Sequence, residues 1–518
     1  MTSPSTRGRP RHAKSHIAVR VAHALLGIVV GVGWLVLPGM TIRAEDPVPV
    51  AGAAAAPEQG GTTATDLILP IAVVVAALVL AGYGYVRRTR RARSRTTPGL
   101  VSERPPAQTA HDFERQARAS LVEADDSVRT SREELGFTEA RFGAEAVKPF
   151  ASALRAAQTE LTAAFAIRRR YEQGAPGDET ARRQALVGIV GRCAEAGRRL
   201  DAEAAGFDRL RALEQGVGAA LEVAERRFRE LAGRTGDAQA ALAELGERYV
   251  PSAAASVTGY VEQAKDRLVF ATTHLNRARQ SADSGDGERA ARALRAAEGA
   301  VAQADVLVSG VERLAGELRE AAGLVPTALT GGEAEIAEAR RRPPLIPEGE
   351  LLARVAHADV ALAAVREELT RGRPYDPLDA LRRITRAVGL LGVGRAGVVP
   401  VAARLAARSA VSAAGDFVST HRAAVGAEAR TRLAEAERLL AEEPAEYAVA
   451  DGLAQEAREL AERDVRAHGN PYDGAADHAS GLAGAVLGGI LLAEEPDGGP
   501  PASFGGPETR DRRRLPRE

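Results

Sequence analysis

The sequence predicts an all-α protein: an N-terminal signal and one transmembrane helix, then an elongated array of antiparallel helical hairpins of a coiled-coil or spectrin-like kind, and a disordered C-terminal tail. Three observations support the helical class. Aromatic residues make up only 4% of 518 residues, which argues against the ring-rich cores of β-sandwiches and α/β enzymes. Alanine, leucine, arginine and glutamate dominate, as in long helices. Apolar residues recur at helical spacing from about His111 to Arg466.

Composition divides the chain into six segments. The first segment has a basic stretch, then an apolar run and then a small residue, Ala44, which is the order found in a secretory signal peptide. The alternative interpretation is an uncleaved first membrane helix. The predicted segments are a signal peptide (1–44), a short extracytoplasmic linker (45–66), a transmembrane helix (67–86), an arginine-rich stop-transfer segment (87–97), a cytoplasmic helical coiled-coil region (98–468) and a flexible Gly/Pro-rich tail (469–518).

The membrane prediction depends on Leu67–Val86, which has twenty residues and no charge. That length crosses a hydrocarbon core as a helix. Arginines follow immediately in Arg87–Arg95, and such a cluster after a membrane span is the usual signal that this flank lies in the cytoplasm. The cluster is therefore expected to bind anionic lipid headgroups rather than nucleic acid. We therefore expect a single-pass protein of the plasma membrane with most of its chain in the cytoplasm. It would contact the bilayer through Leu67–Val86 and anionic lipid through Arg87–Arg95.

The helical body shows its hairpins most clearly around the turn at Ser284–Gly287. Apolar residues alternate at spacings of three and four on both sides of this turn, which predicts an antiparallel pair of helices. A similar stripe lies near the start of the body, at Phe113, Ala117, Leu121, Ala124, Val128, Ser131 and Leu135. Gly- or Pro-containing breaks, among them Gly233–Gly236 and Gly323–Pro326, predict roughly ten helices in all. A solenoid is the alternative arrangement.

The tail contains a short apolar run, residues 481–493, that is too short to cross a bilayer as a helix. The residues after it are rich in proline, glycine and charge, so we expect them to be disordered.

A Gly-x-Gly-x-x-Gly pattern occurs at Gly392–Gly397, with Asp416 about twenty residues later. Nucleotide binding through this pattern needs a strand before the glycines and a helix N-terminus after them. Here a helical pattern precedes the glycines and Asp416 lies inside another helix. We therefore interpret the pattern as a loop.

Four possible metal ligands occur close together, at His468, Asp473, Asp477 and His478, but their spacing fits no recognised metal pattern. The sequence therefore predicts no metal site and no cofactor.

The one cysteine, Cys193, shares an apolar stripe with Leu186 and Ile189, which predicts a small buried side chain rather than a reactive thiol. His274 and His421 stand alone on helices without a serine or cysteine partner, which argues against a nucleophile and base pair. No catalytic residue is predicted.

A series of short motifs follows the helical body and the tail in order: Val128–Thr130, Glu133–Phe137, Asp208–Glu214, Gln263–Thr273, Pro374–Pro377, Ala380–Arg383, Thr420–Arg422, Val425–Leu433 and Gly484–Leu491. Through these motifs the chain resembles the cytoplasmic coiled-coil half of actinobacterial TPM-domain-containing membrane proteins. The likeness covers about residues 98–492.

The resemblance implies a signal peptide, an extracytoplasmic TPM domain, one membrane helix, a helical region and a glycine-rich tail. Where the TPM domain is expected, this sequence has only the short linker before Leu67. The residues of a TPM domain therefore have no counterpart here. We expect a non-catalytic, membrane-anchored helical scaffold that binds protein partners or self-associates through its hairpins. The alternatives are the phosphatase or membrane-protein quality-control role linked with the family, and a lipid-binding protein that shapes membranes.

Overall fold

The computed structural model describes residues 110–174, 177–341, 347–391, 397–442, 446–468 and 503–509. All regular secondary structure in these ranges is helical, which confirms the all-α prediction. The α-helices are α1 (Ala110–Phe142), α2 (Ala144–Glu172), α3 (Glu179–Arg211), α4 (Gly218–Arg248), α5 (Tyr260–Asp283), α6 (Gly287–Arg341), α7 (Glu348–Arg371), α8 (Pro377–Gly389), α9 (Val398–Thr420), α10 (Ala427–Ala441) and α11 (Tyr447–Ala467). A 3₁₀ helix, Pro251–Val257, lies between α4 and α5.

The membrane prediction is corrected by this structure. Among the described residues, no helix is both long enough and apolar enough to cross a bilayer. Arginine and glutamate recur along the exposed faces of these helices, and each charge in a hydrocarbon core costs several kcal/mol. The assignment as a single-pass plasma-membrane protein with a transmembrane helix is therefore not retained. The stretches on which it depended, Leu67–Val86 and Arg87–Arg95, lie outside the described residues.

Two of the predicted helix breaks do not occur. Helix α4 continues through Gly233 and Gly236, and α6 continues through Gly323 and Pro326. Both helices keep these residues on their exposed faces and bury the opposite stripe, which contains Leu231, Thr235 and Ala238 in α4 and Val325, Ala328 and Leu329 in α6. Tertiary packing of the buried stripe outweighs the cost of about 1 kcal/mol for a helical glycine and about 3 kcal/mol for a proline.

Helix α6 is the element around which the middle of the body is packed. Its 55 residues make it about 80 Å long at the usual rise per residue. Helices α1, α4, α5, α7, α8 and α9 all contact it. Its partner α5 is joined to it by a tight turn in which Gly285 has φ +78°, a backbone conformation that favours glycine.

The buried side chains form separate clusters. One cluster lies between α1, α2 and α3, and includes Leu121, Ile189 and Leu200. A second surrounds α6 and reaches the start of α9. A third lies between the later part of α9, α10 and α11, and a fourth between the first part of α4, the end of α5 and the start of α6. Alanine is frequent in all four, so close contact between helix backbones is needed to exclude water.

Buried arginines connect α10 with α1. The Arg430 side chain is 1% exposed, and its Nη1 lies 2.6 Å from Asp125 Oδ2 and 2.7 Å from Asp126 Oδ1. Its other nitrogens donate to main-chain oxygens, Nε to Val425 at 3.0 Å and Nη2 to Arg422 at 2.5 Å. The guanidinium is thus satisfied on several sides, as a buried charge requires.

The same interface contains a second pair, in which the Arg422 nitrogens donate to both carboxylate oxygens of Glu133 at 2.9 and 3.0 Å. Burial raises the pKa of Asp125, but Arg129 and Arg430 outweigh burial and hold this pKa below its usual value. The carboxylate therefore stays ionised and the pairing is maintained at neutral pH.

We expect the change Arg430→Ala to lower the free energy of unfolding by about 3–5 kcal/mol, because it breaks a buried ion pair: the buried Asp125 keeps only Arg129, and the partly buried Asp126 loses this partner. Urea denaturation followed by circular dichroism measures this loss. Arg115→Ala is the matched control: this arginine on α1 also pairs with a carboxylate, Asp112, but its side chain is 68% exposed. The control should change stability by less than about 1 kcal/mol. Equal losses for the two variants would contradict the prediction.

Candidate functional site

A short segment from the C-terminal region, Ser503–Thr509, lies against α1, α2 and α3. Its sequence is Ser-Phe-Gly-Gly-Pro-Glu-Thr, and Phe504 in it is fully buried. These residues fall inside 469–518, which the sequence predicts to be a flexible tail, and the structure differs from that prediction here. We name the surface that holds the segment the Phe504 groove. It consists of Ser131, Glu134, Phe150, Gly197, Asp201 and Phe207.

The centre of the groove is aromatic. Phe504 stacks on Phe207 with ring centroids 4.4 Å apart and an interplanar angle of 17°. It meets Phe150 edge to face at 6.0 Å and 75°, and Phe150 and Phe207 also contact each other at 5.3 Å and 88°. The chain has only ten phenylalanines, and three of them meet here. Such contacts add about 0.5–1.5 kcal/mol per pair to the burial of the rings.

The sides of the groove accept the amide hydrogens of the segment. The amide of Phe504 donates to Glu134 Oε2 at 3.3 Å, and the amide of Gly505 donates to Ser131 Oγ at 3.2 Å. The carboxylate of Asp201 accepts from the amide of Gly506 at 2.9 Å. It also accepts from the two amides that follow Pro507, at 3.3 and 3.0 Å, and from the hydroxyl of Thr509. Every amide hydrogen from 504 to 509 therefore has an acceptor, because proline carries none.

The backbone of the segment touches the backbone of α3. A Cβ atom added to Gly197 would lie 2.7 Å from Pro507 Cδ. A Cβ atom added to Gly506 would lie 2.5 Å from Gly197 O and 2.7 Å from Asp201 Oδ2. Gly505 has φ +137°, a conformation that residues with a side chain rarely adopt. The fit therefore needs glycine on both surfaces.

A buried network of charges holds Glu134 in place behind the segment. Arg211 Nη1 lies 3.2 Å from Glu134 Oε2, and Arg295 Nε lies 3.6 Å from Oε1. Arg211 also donates to both oxygens of Glu298, at 2.7 and 2.8 Å. Burial raises the pKa of Glu298, and the charge of Arg211 opposes this rise. The network fixes the Glu134 side chain from within the helical body, before any contact with the segment is counted.

The groove thus offers one deep aromatic contact and a row of hydrogen-bond acceptors for a backbone. These features bind a protein segment and fix its register. Helical periodicity does not reveal this site, because Phe504 lies in a Gly/Pro-rich stretch. An isolated phenylalanine followed by Gly-Gly-Pro, in a chain with few aromatic residues, was the available signal.

Cys193 lies where its stripe predicts, buried beside Leu186 and Ile189 in the cluster of α1, α2 and α3. Burial raises the pKa of its thiol to about 12, with the charge of Glu123 acting in the same direction. A thiol with this pKa carries very little thiolate at neutral pH, so it reacts slowly.

We expect native Cys193 to resist iodoacetamide at about pH 8 and to react fully once the chain is unfolded in guanidinium. Mass spectrometry measures the labelled fraction in both states. Labelling at the same rate before and after unfolding would contradict the buried position.

His274 and His421 are both buried, and each stacks on an aromatic ring one helical turn earlier in the chain. His421 Nδ1 lies 3.0 Å from Thr420 Oγ1 and 3.2 Å from Phe417 O. The hydroxyl of Thr420 also donates to main-chain oxygens of its own helix, which is an ordinary role for threonine in a helix. This arrangement holds the histidine within the core.

The pKa of His421 falls to about 4, first because of burial; the hydrogen bond to Phe417 opposes the fall, and the charges of Arg267 and Arg458 add to it. In the unfolded chain the imidazole titrates near pH 6.5. Between these two values only the unfolded chain binds the proton, so acid favours unfolding.

We expect the contribution of His421 to stability to be complete above pH 6.5 and to be lost as the pH falls towards about 4. The slope is about 1.4 kcal/mol per pH unit for one proton. Urea denaturation at about pH 5 and about pH 7 measures it, with His421→Gln as the comparison. The wild-type chain should lose more stability between these pH values than the variant does, and equal losses would contradict the prediction.

The glycine-rich pattern is only partly described, because residues 392–396 lie outside the described ranges. Gly397, at its end, directly precedes α9 with φ +85°. Asp416 lies inside α9 and pairs with Arg313 of α6. It therefore joins two helices, and it lies near the C-terminal end of α9, whereas Gly397 precedes the N-terminal end.

Of the possible metal ligands, only His468 is described, at the end of α11; Asp473, Asp477 and His478 lie outside the described residues. Within the described ranges, no group of three or more histidine, cysteine, aspartate or glutamate residues is arranged to hold a metal ion.

Comparison with known proteins shows similarity to the UPF0603 proteins MT2410 and Rv2345 from two strains of Mycobacterium tuberculosis, CDC 1551 / Oshkosh and ATCC 25618 / H37Rv. The identity is 31% over 430 residues in each case. The match covers 77% of this chain and 64% of each relative, so the chain spans less than two thirds of their length. No family model matches the chain. No solved structure matches it either.

Proposed function

We propose that this chain is a non-catalytic helical scaffold that binds segments of proteins, with the Phe504 groove as its recognition site. The observation that carries the proposal is the seating of Ser503–Thr509, which buries a whole phenylalanine and gives every amide hydrogen from 504 to 509 an acceptor. Anchoring by one buried aromatic side chain, with main-chain hydrogen bonds to fix the register, is a common mode of peptide recognition.

The scaffold role is supported by the way the body holds this surface. The groove is built on three long helices rather than on loops, and its acceptors extend from α1 and α3. Sites on packed helices keep their geometry in the absence of a ligand, which lowers the entropic cost of binding.

We also infer that the body is an array of antiparallel hairpins, related to the helical region of the TPM-domain-containing proteins that it resembles. Short connections support the first part: a single residue, Gly143, separates α1 from α2, and three residues separate α5 from α6. The similarity to the two UPF0603 proteins over most of this chain supports the second part.

A peptide of residues 500–511 should bind to the full chain carrying Phe504→Ala, because this change removes the aromatic anchor of the resident segment and leaves the groove side chains intact. Fluorescence anisotropy of the labelled peptide measures the affinity. The matched control is the same peptide with alanine in place of phenylalanine. We expect it to bind on the order of 100- to 1,000-fold more weakly, since deletion of a buried phenylalanine costs about 3–5 kcal/mol. Absence of binding by a variant chain that keeps its helical circular dichroism would overturn the proposal.

A further inference from the structure

We propose that Ser503–Thr509 is a tethered competitor that keeps the Phe504 groove occupied, and that the groove's partners are protein segments with the sequence Phe-Gly-Gly-Pro-x-Thr. This inference rests on the proposed function, and it adds the class of partner and the regulation of the same site.

The first three positions of this sequence follow from the contacts of the resident segment. The phenylalanine stacks on Phe207 and meets Phe150 edge to face. The next residue has φ +137°, and a Cβ atom there would lie 2.7 Å from Thr509 Cβ. A Cβ atom on the third residue would meet the main-chain oxygen of Gly197 at 2.5 Å. Only glycine satisfies the second and third positions without movement of a backbone.

The remaining positions follow from Asp201 and Gly197. The fourth residue, Pro507, packs its ring on Gly197, where an added Cβ atom would lie 2.7 Å from the proline Cδ. The sixth residue donates both its amide and its hydroxyl to Asp201. The fifth residue, Glu508, is exposed and donates its amide to Asp201, so the sequence leaves its side chain open.

The segment is a ligand rather than part of the core because the groove is supported without it. Phe150 and Phe207 contact each other directly, and Glu134 is held by Arg211 and Arg295 from behind. Departure of the segment exposes an aromatic pair and a few hydrogen-bond acceptors but breaks no helix.

The connection between the segment and the body makes competition effective. The residues between His468 and Ser503 number 34. A segment on the same chain as its groove binds intramolecularly, so it acts at an effective local concentration and not at the concentration of the protein in solution. A partner in solution must compete with this concentration. The partner's apparent affinity therefore equals its intrinsic affinity multiplied by the fraction of time that the groove is empty.

The experiment titrates three full-length chains with the labelled peptide of residues 500–511: the wild type, Phe504→Ala, and Glu508→Ala as the matched tail control. We expect Phe504→Ala to bind the peptide on the order of 10- to 100-fold more tightly than the wild type does. Glu508→Ala should resemble the wild type, because its backbone contacts remain. A peptide with Gly506→Val should bind Phe504→Ala at least 10-fold more weakly than the unchanged peptide, by the clash with α3.

Failure of this inference differs from failure of the proposed function. Equal affinity of wild type and Phe504→Ala overturns the tethered competitor but leaves the groove as a binding site. Absence of binding to every chain overturns both. Undiminished binding of the Gly506→Val peptide overturns the assigned class of partner. If the wild type is a dimer and the Phe504→Ala chain is a monomer, the segment in each groove comes from a second copy. That result overturns occupation of the groove by the segment of the same chain.

Hydrogen exchange of the wild type tests the inference without a variant. We expect the amides of Phe504–Thr509 to exchange together and sooner than the core amides of α1 and α3, because the segment leaves the groove while the helices stay folded. Exchange of the segment only with global unfolding overturns the proposal.

Discussion

Close approach of one backbone to another, permitted by alanine and glycine, is the constraint on which this structure depends. Side chains such as Ala264 and Ala271 of α5, and Ala297 and Ala304 of α6, are fully buried although each removes little area from water. Such a core is stable only if the helices are long and closely packed, because many small contributions must be summed. The same condition governs the candidate site, where Gly197 of α3 admits the backbone of the resident segment.

Buried arginine–carboxylate pairs complement these small side chains. A core of alanine and leucine fits in many registers, whereas a guanidinium with two or three fixed partners fits in one. Arg430 joins α10 to α1, and Arg211 joins α3 to α1 and α6. The second of these networks also orients Glu134 towards Phe504. The interactions that specify the packing of the helices therefore also shape the site.

Helical periodicity correctly predicted which side chains are buried wherever packing follows the local spacing of apolar residues. The stripe through Leu121, Val128 and Ser131 is buried as predicted, and so is Cys193. The predicted breaks in α4 and α6 were wrong, because glycine and Pro326 lie on exposed faces while the opposite face packs. A local rule assigns a fixed cost to such residues, but the compensating burial comes from helices distant in the chain. The membrane assignment came from a segment outside the described residues, and the described helices contain no span.

Composition and spacing are sufficient to give the all-α class and the buried faces of the helices, because both depend on local sequence. The packing of distant elements is what brings Phe504 against Phe150 and Phe207, and it places Asp201 where it accepts the amides of a segment about 300 residues later in the chain. These contacts lack periodicity and join elements distant in sequence. Their formation depends on the position of α3 against α1 and α2, which is an outcome of packing rather than of local preference.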